Sequence, residues 1–96
     1  MMVLITYDVE TTTPSGAKRL RKVAKECQNY GQRVQNSVFE CVLTEAQFVF
    51  LKNRLSGIID AEKDSVRYYF MGNNWSNRIE MVGKATSYDV TSELII

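Results

Sequence analysis

The chain has 96 residues and a mass of 11.0 kDa, the size of one small domain. Its hydrophobic fraction of 45% and charged fraction of 24% are those of ordinary globular proteins, which excludes a disordered or fibrous chain. No apolar run approaches the ~20 residues of a membrane-spanning helix. The absence of histidine excludes histidine-dependent nucleophilic catalysis and histidine-ligated zinc.

The formal net charge is only +1, but the charges are unevenly distributed. Residues 18–33 contain six basic residues and one acid, a local charge of +5, which leaves −4 for the rest of the chain. The two cysteines, Cys27 and Cys41, lack the spacing of metal ligands. We therefore expect both to be buried thiols in a reducing cytoplasm.

The first predicted element is a strand over residues 3–9. Side chains alternate between the two faces of a strand. One face carries Val3, Ile5, Tyr7 and Val9, and the other carries Leu4, Thr6 and Asp8. Because both faces are largely apolar, we expect both to be covered.

A polar loop over residues 11–16 leads into a predicted helix over residues 16–29. Apolar residues recur at three-and-four spacing on its core face: Ala17, Leu20, Val23, Ala24, Cys27 and Tyr30. The opposite face is basic. Gly31 is expected to end this helix, since glycine is the usual terminator.

A second extended region covers residues 32–43, with a bend or a short hairpin at Asn36-Ser37. Residues 44–47 match a capping box and predict the start of a second helix. The inner face of that helix carries Phe48, Leu51, Leu55, Ile58 and Ile59. A charged turn over residues 60–64 precedes a strand over residues 65–71, and residues 79–82 and 94–96 are short apolar stretches.

This element order predicts an α+β fold, a ferredoxin-like βαββαβ sandwich with an extra C-terminal strand. Residues 1–96 form a single domain, with a core over 1–72 and a C-terminal strand extension over 73–96. The helices cover one sheet face, and the apolar residues on the other predict a sheet-to-sheet homodimer. The extension can join the sheet of its own subunit or that of the partner.

Asp8 is the first candidate for chemistry, because it ends the first strand on the face assigned to the dimer interface. An ionised carboxylate there needs a cation or hydrogen bonds. Two Asp8 side chains related by a two-fold axis could hold one Mg²⁺, with waters completing the shell. Such a metal activates water and neutralises charge on a phosphodiester. The alternative is an exposed aspartate that merely ends a strand.

The basic face of the first helix is the second candidate. Its members are Lys18, Arg19, Arg21, Lys22 and Lys25. They are suited to salt-dependent contacts with phosphates. The alternative is a solvated helix face, although no acidic residue lies between positions 11 and 25 to balance it.

Arg33 is the third candidate, since an arginine near a metal can stabilise phosphate charge. The alternative is an ordinary arginine on an edge strand. From composition alone, Tyr7 and Phe39 are better explained as core or interface aromatics than as catalytic groups.

Two stretches of the chain together resemble the small CRISPR-associated endonuclease family, the ferredoxin-like subunit of the adaptation machinery. The stretches are Leu4–Val9, which ends in Tyr-Asp-Val and is followed by the basic helix, and Arg33–Glu40, which contains R-x-Q-x-S-V-F. The similarity runs from residue 2 to about residue 72 and is strongest to the branch of type I-C systems.

The resemblance implies roles for particular residues. Asp8 matches the family's metal-binding aspartate and Tyr7 its accompanying aromatic residue. Arg33 and Phe39 match its arginine and phenylalanine, so that the implied catalytic set is Tyr7, Asp8, Arg33 and Phe39. The family's basic residues fall on Lys18, Arg19 or Arg21, without a single best match.

The resemblance also implies a homodimer with one shared Mg²⁺ site, in which Mn²⁺ can substitute. Family members cleave double-stranded DNA or single-stranded RNA, and DNA is the expected substrate here. In spacer acquisition for antiviral defence, the dimer acts with the CRISPR integrase. Two alternatives remain: a non-catalytic DNA-binding adaptor of the integrase, and a toxin-type endoribonuclease similar to the virulence-associated D family.

Overall fold

The structure is a computed structural model that describes residues 1–71 and 79–83. Five strands and two helices are described, in the order β1 (Met2–Asp8), α1 (Pro14–Gln28), β2 (Gly31–Gln35), β3 (Val38–Val42), α2 (Glu45–Ile58), β4 (Ser65–Met71) and β5 (Ile79–Gly83). The βαββαβ order was predicted from the sequence. Of the bend or short hairpin expected at residues 36–37, the structure has the hairpin. No helix in the described part of the chain is long and apolar enough to cross a bilayer.

All strand pairs are antiparallel, and the sheet order is β2-β3-β1-β4-β5. The first four strands have the ferredoxin-like arrangement, so the predicted α+β class is confirmed. β1 is the central strand, with β3 on one side and β4 on the other. At its carboxyl end, β1 is in register with β3 as far as Thr6 and with β4 as far as Asp8.

The two helices pack on one face of the sheet, which we call the covered face. The largest fully buried side chains there come from four elements: Val3 and Ile5 of β1, Phe39 of β3, Leu51 and Leu55 of α2, and Tyr68 of β4. The alternate residues of β1 point to the other face, which we call the second face. Burial thus follows the predicted alternation, with Tyr7 buried and Asp8 exposed.

α1 begins two residues before the predicted start. Pro14 occupies the first turn, where a missing N–H costs nothing, and the Thr13 side chain accepts a hydrogen bond from the Gly16 N–H. The predicted loop therefore contributes the first turn of the helix.

Gly31 does not terminate α1, contrary to the prediction, because the helix already ends at Gln28. The helix is capped by Asn29 in a right-handed conformation, and Gly31 begins β2. Gly31 is needed for close packing instead, because a Cβ atom there would collide with the Glu40 carbonyl oxygen of β3.

The second helix follows the prediction closely. The capping box at Thr44 and Gln47 is formed in both directions, with hydrogen bonds of 2.9 and 3.1 Å. Phe48, Leu51 and Leu55 are buried against the sheet.

The described part of the predicted extension joins the sheet of its own subunit. β5 pairs with β4 from Ser65↔Gly83 to Tyr69↔Ile79. Gly83 has φ of 109°, and a Cβ atom there would collide with the Asp64 carbonyl oxygen. Residues 94–96 lie outside the described residues, and the division of the domain at residue 72 stays a prediction.

Both cysteines are free and buried, as expected. Burial raises the pKa of Cys27 from 9.0 to about 12 and that of Cys41 to about 11. We therefore expect the native protein to resist alkylation by iodoacetamide at pH 8, while the denatured chain reacts readily. Mass spectrometry of the labelled peptides assigns each site. Rapid labelling of Cys27 in the native state would contradict this assignment.

Candidate functional site

Asp8 is an exposed residue at the carboxyl end of the central strand. Its Cα atom pairs with that of Ser65 in the last register position between β1 and β4. It lines an open depression of about 130 Å³, together with Thr6, Tyr7, Ser37, Val38, Ser65 and Arg67. The carboxylate is thus accessible to ligands on the second face, where the sequence placed it.

One chain by itself offers an incomplete set of metal ligands. Among the described residues, no group of three or more His, Cys, Asp and Glu side chains could hold a metal ion. Mg²⁺, however, is commonly held by only one or two carboxylates, with waters and substrate phosphates as the other ligands. The exposed Asp8 carboxylate fits that type of site as one ligand of a shared metal.

Tyr7, Phe39 and Arg33 form a stack at the covered face. The Tyr7 and Phe39 rings are 6.2 Å apart at an interplanar angle of 22°, and the Arg33 guanidinium lies 5.2 Å from the centre of the Phe39 ring. Arg33 and Phe39 are cross-strand partners in the β2–β3 hairpin. Arg33 belongs to the edge strand β2 and is exposed, so its guanidinium can reach a ligand.

The stack and the Asp8 carboxylate are on opposite sides of β1. Tyr7 and Phe39 are buried, and burial raises the pKa of the Tyr7 phenol, which keeps it protonated at neutral pH. The Tyr7 hydroxyl donates to the Asn36 carbonyl at 3.5 Å, and its backbone N–H donates to the Ser37 carbonyl at 3.1 Å. Tyr7 therefore attaches the end of β1 to the hairpin. Within one chain, the buried Phe39 ring lies on the side of β1 opposite Asp8, whereas Tyr7 also lines the depression beside Asp8.

Four of the five predicted nucleic-acid-binding residues form an exposed row on α1, which we call the basic stripe: Lys18, Arg21, Lys22 and Lys25. At 100° per residue, these positions span one side of the helix, opposite the buried Val23 and Cys27. The basic stripe and Asp8 therefore lie on opposite sides of the sheet.

Arg19 does not belong to the basic stripe. Its Nε donates to Asp64 Oδ2 at 2.8 Å, and its terminal nitrogen approaches Oδ1 at 3.4 Å. Asp64 is fully buried, although the sequence pattern placed it in a charged turn. The pair joins residues 45 positions apart, which no local pattern reveals. Two features of the sequence could have indicated this pair. Arg19 lies outside the helical row formed by Lys18, Lys22 and Lys25, and Asp64 directly precedes an apolar strand.

A groove of about 510 Å³ separates α1 from α2 on the outer side of the helices. Arg54 and Glu26 form an exposed ion pair across it, with a shortest distance of 2.7 Å. Lys22 and Lys25 also line the groove, so that part of the basic stripe faces it.

Comparison with known proteins identifies the family of this chain. The model of the family described as CRISPR associated protein Cas2 matches residues 1–79. The chain belongs to the Cas2 family. The resemblance inferred from the Tyr-Asp strand end and the R-x-Q-x-S-V-F stretch is thereby confirmed.

Two curated relatives match the chain along nearly its whole length. The CRISPR-associated endonuclease Cas2 of Halalkalibacterium halodurans is 57% identical over 95 residues, with 99% of each chain covered. The CRISPR-associated endoribonuclease Cas2 of Nitratidesulfovibrio vulgaris is 53% identical over 96 residues, which covers 100% of this chain and 94% of the relative. The crystal structure of Streptococcus pyogenes Cas2 at pH 6.5 has a TM-score of 0.72 and 63% identity, and covers 86% of this chain and 100% of that one. The chain is accordingly a CRISPR protein of the nuclease type.

The position of Phe39 predicts that its ring acts through packing. We expect Phe39→Ala to lower the free energy of unfolding by about 3–5 kcal/mol, because it removes a fully buried ring. Arg33→Met keeps the alkyl stem and should cost no more than about 1 kcal/mol, the value of an exposed cation–π contact. Chemical denaturation measures both. Equal small losses would mean that the Phe39 ring contributes little to the core.

Proposed function

We propose that this Cas2 protein is a metal-dependent endonuclease that works as a homodimer, with one Mg²⁺ held between two Asp8 carboxylates. The observation that carries the proposal is an accessible carboxylate at the end of the central strand, on the sheet face without helices. The names of the relatives, endonuclease or endoribonuclease, support hydrolysis of a phosphodiester bond. Mn²⁺, which also prefers oxygen ligands, is the expected substitute.

The apolar end of the second face supports the dimer. Met2 lies directly opposite Val42 on one neighbouring strand and Met71 on the other. These three side chains form a row and are 37%, 68% and 39% exposed, respectively. Burying an apolar row that crosses three adjacent strands removes hydrophobic surface from water. A second copy of the same sheet face can bury it, because an interface with two-fold symmetry uses the same surface on both subunits. Asp8 lies at the other end of the same face.

Different residues of the chain have different proposed roles in cleavage. A bound Mg²⁺ would supply activation of the attacking water and neutralisation of phosphate charge. Asp8 is positioned by its backbone register with Ser65 of β4. Ser37 and Ser65 line the same depression, and we assign to their hydroxyls the orientation of water or phosphate oxygens. We assign to Arg33, which is exposed on the edge strand β2, a contact with a substrate phosphate.

Double-stranded DNA is the substrate that we propose, with single-stranded RNA as the competing one. The Halalkalibacterium halodurans relative, at 57% identity, is named an endonuclease, whereas the Nitratidesulfovibrio vulgaris relative, at 53%, is named an endoribonuclease. More of the similar relatives carry the RNA name, so both nucleic acids belong in the first assay.

A second function, DNA-binding adaptor of the CRISPR integrase in spacer acquisition, is favoured by the distance of the basic stripe from Asp8. Nucleic acid held on the outer side of α1 does not contact the carboxylate of the same chain. Binding can therefore persist when cleavage is abolished, and the protein can serve both functions.

Replacement of Asp8 by asparagine tests the nuclease. We expect Asp8→Asn to reduce cleavage in Mg²⁺ or Mn²⁺ by roughly 100-fold or more, because each subunit loses one anionic metal ligand. Double-stranded DNA and single-stranded RNA are assayed in parallel, and light scattering verifies that each variant remains a dimer. Glu40→Gln is the matched control, since Glu40 is an exposed carboxylate on the same sheet face.

Three outcomes decide between the functions. Activity that Asp8→Asn loses and Glu40→Gln keeps supports the metal-dependent nuclease and identifies its substrate. Inactivity of every variant, including wild type, favours the adaptor. Equal activity in Asp8→Asn and wild type contradicts the role of Asp8 in cleavage.

Neutralisation of two stripe residues tests phosphate binding. A plot of log K against log salt for duplex DNA has a slope of about −0.9 per phosphate contact. We expect the double variant Lys22→Gln, Lys25→Gln to make the slope less negative by about 1.8 if each lysine contacts one phosphate. Lys63→Gln, a neutralisation in the exposed turn before β4, should leave the slope unchanged. An identical slope in all three proteins would make the basic stripe a solvated surface.

A further inference from the structure

Asp64 is a fully buried carboxylate that joins three separate segments of the chain. Its Oδ1 accepts the backbone N–H of Glu10 at 3.0 Å, and its Oδ2 accepts that of Asp60 at 2.8 Å. The Arg19 guanidinium completes the set, with its Nε 2.8 Å from Oδ2. The loop after β1, the first turns of α1 and the turn before β4 are thus held by one side chain.

Glu10, two residues beyond Asp8, is held from both sides. Its N–H is bound by Asp64, and its carbonyl oxygen lies against Gly16 so closely that a Cβ atom there would collide with it. The Glu10 backbone therefore lies between the Asp64 carboxylate, which directly precedes β4, and Gly16 in the first turn of α1.

The ladder between β1 and β4 ends at the same place. Asp8 and Ser65 are its last register pair, and Glu10 and Asp64 are the next residues that contact across the two segments. Asp8 is consequently bracketed by the strand ladder on its amino side and by the Asp64 contact on its carboxyl side. The Asp64 contact adds to the burial of Val9 in the core and to the packing of the Glu10 carbonyl against Gly16.

We propose that Asp64 and Arg19 act together as a latch that positions the Asp8 carboxylate through the backbone of Glu10. This inference rests on the proposed function of Asp8. Neither latch residue contacts Asp8 directly, so both are positioning residues, and Arg19 is removed from the set of phosphate-binding residues. By this means Arg19, a residue of α1, affects the position of Asp8 on the second face of the sheet.

The charge state of Asp64 is consistent with this geometry. Burial opposes ionisation, but the hydrogen bonds from Arg19 and from the N–H groups of Asp60 and Glu10 outweigh it, and the pKa of Asp64 is lowered overall. The carboxylate is therefore ionised at neutral pH and accepts hydrogen bonds from all three segments. Charge-assisted bonds of this type are shorter and stronger than neutral ones.

Neutralisation of Arg19 tests the latch while leaving the buried carboxylate in place. Arg19→Gln should raise the rate of hydrogen exchange at the Glu10 amide by about 10-fold or more, the effect of weakening one charge-assisted hydrogen-bond set. It should lower kcat by a similar factor with little change in the KM for nucleic acid. Arg19→Lys, which keeps a charge without the planar fork, should give intermediate values. Asp64→Asn should act in the same direction as Arg19→Gln.

Arg54→Gln is the matched control. It also breaks an arginine–carboxylate pair of α1 and α2, but that pair is exposed and lies on the outer side of the helices. We expect it to leave both the Glu10 exchange rate and kcat at wild-type values. If Arg54→Gln and Arg19→Gln lowered kcat equally, the effect would be general destabilisation and the latch would be refuted.

The readouts separate failure of the latch from failure of the proposed function. Exchange at Glu10 and NMR order parameters of residues 9–12 report on the latch even if wild type cleaves no nucleic acid. Looser residues 9–12 in Arg19→Gln would then support the latch while the nuclease assignment fails. Unchanged exchange and unchanged order in a folded Arg19→Gln protein would overturn the latch. Should Asp64→Asn fail to fold, Arg19→Gln and Arg19→Lys still decide the question.

Discussion

The buried Asp64 carboxylate is the interaction on which the functional end of the molecule depends. A carboxylate that is shielded from water must be surrounded by hydrogen-bond donors. Leaving such a charge buried and unpaired destabilises the fold by roughly 3–5 kcal/mol. Arg19, Glu10 and Asp60 supply those donors from three segments, so these segments converge whenever the domain is folded. The end of β1, with Asp8 on it, follows from that convergence.

The sheet separates the chemistry of the chain into two sides. Asp8 lies on the second face, whereas the basic stripe lies on the outer side of α1 and the Tyr7–Phe39 stack lies between sheet and helices. One chain therefore cannot present the carboxylate and its row of cations to the same short segment of nucleic acid. The proposed nucleic-acid-binding surface and the proposed cleavage site are therefore separate in one chain, which makes the endonuclease and adaptor proposals compatible.

The second face is itself uneven, and this matters for assembly. It is apolar around Met2, Val42 and Met71 and polar around Asp8 and Ser65, at the opposite end of the same strands. A second copy that covers the apolar end removes hydrophobic surface from water, while the polar end stays available for a shared ion. Such a division would let one sheet face provide both the dimer contact and the metal ligands.

The sequence by itself determined the elements and the faces of the sheet, because alternation, three-and-four spacing and the capping box at Thr44 are local patterns with a direct structural meaning. It also indicated Asp8 and the family, through short stretches of adjacent residues. Only the tertiary structure decided which charges are structural and which are free. Arg19 and Lys18 are neighbours of the same sign, yet one binds a buried carboxylate 45 positions away and the other is exposed. Likewise, Gly31 serves strand packing and not helix termination. Both outcomes depend on contacts between distant segments, which exist only once the chain has folded.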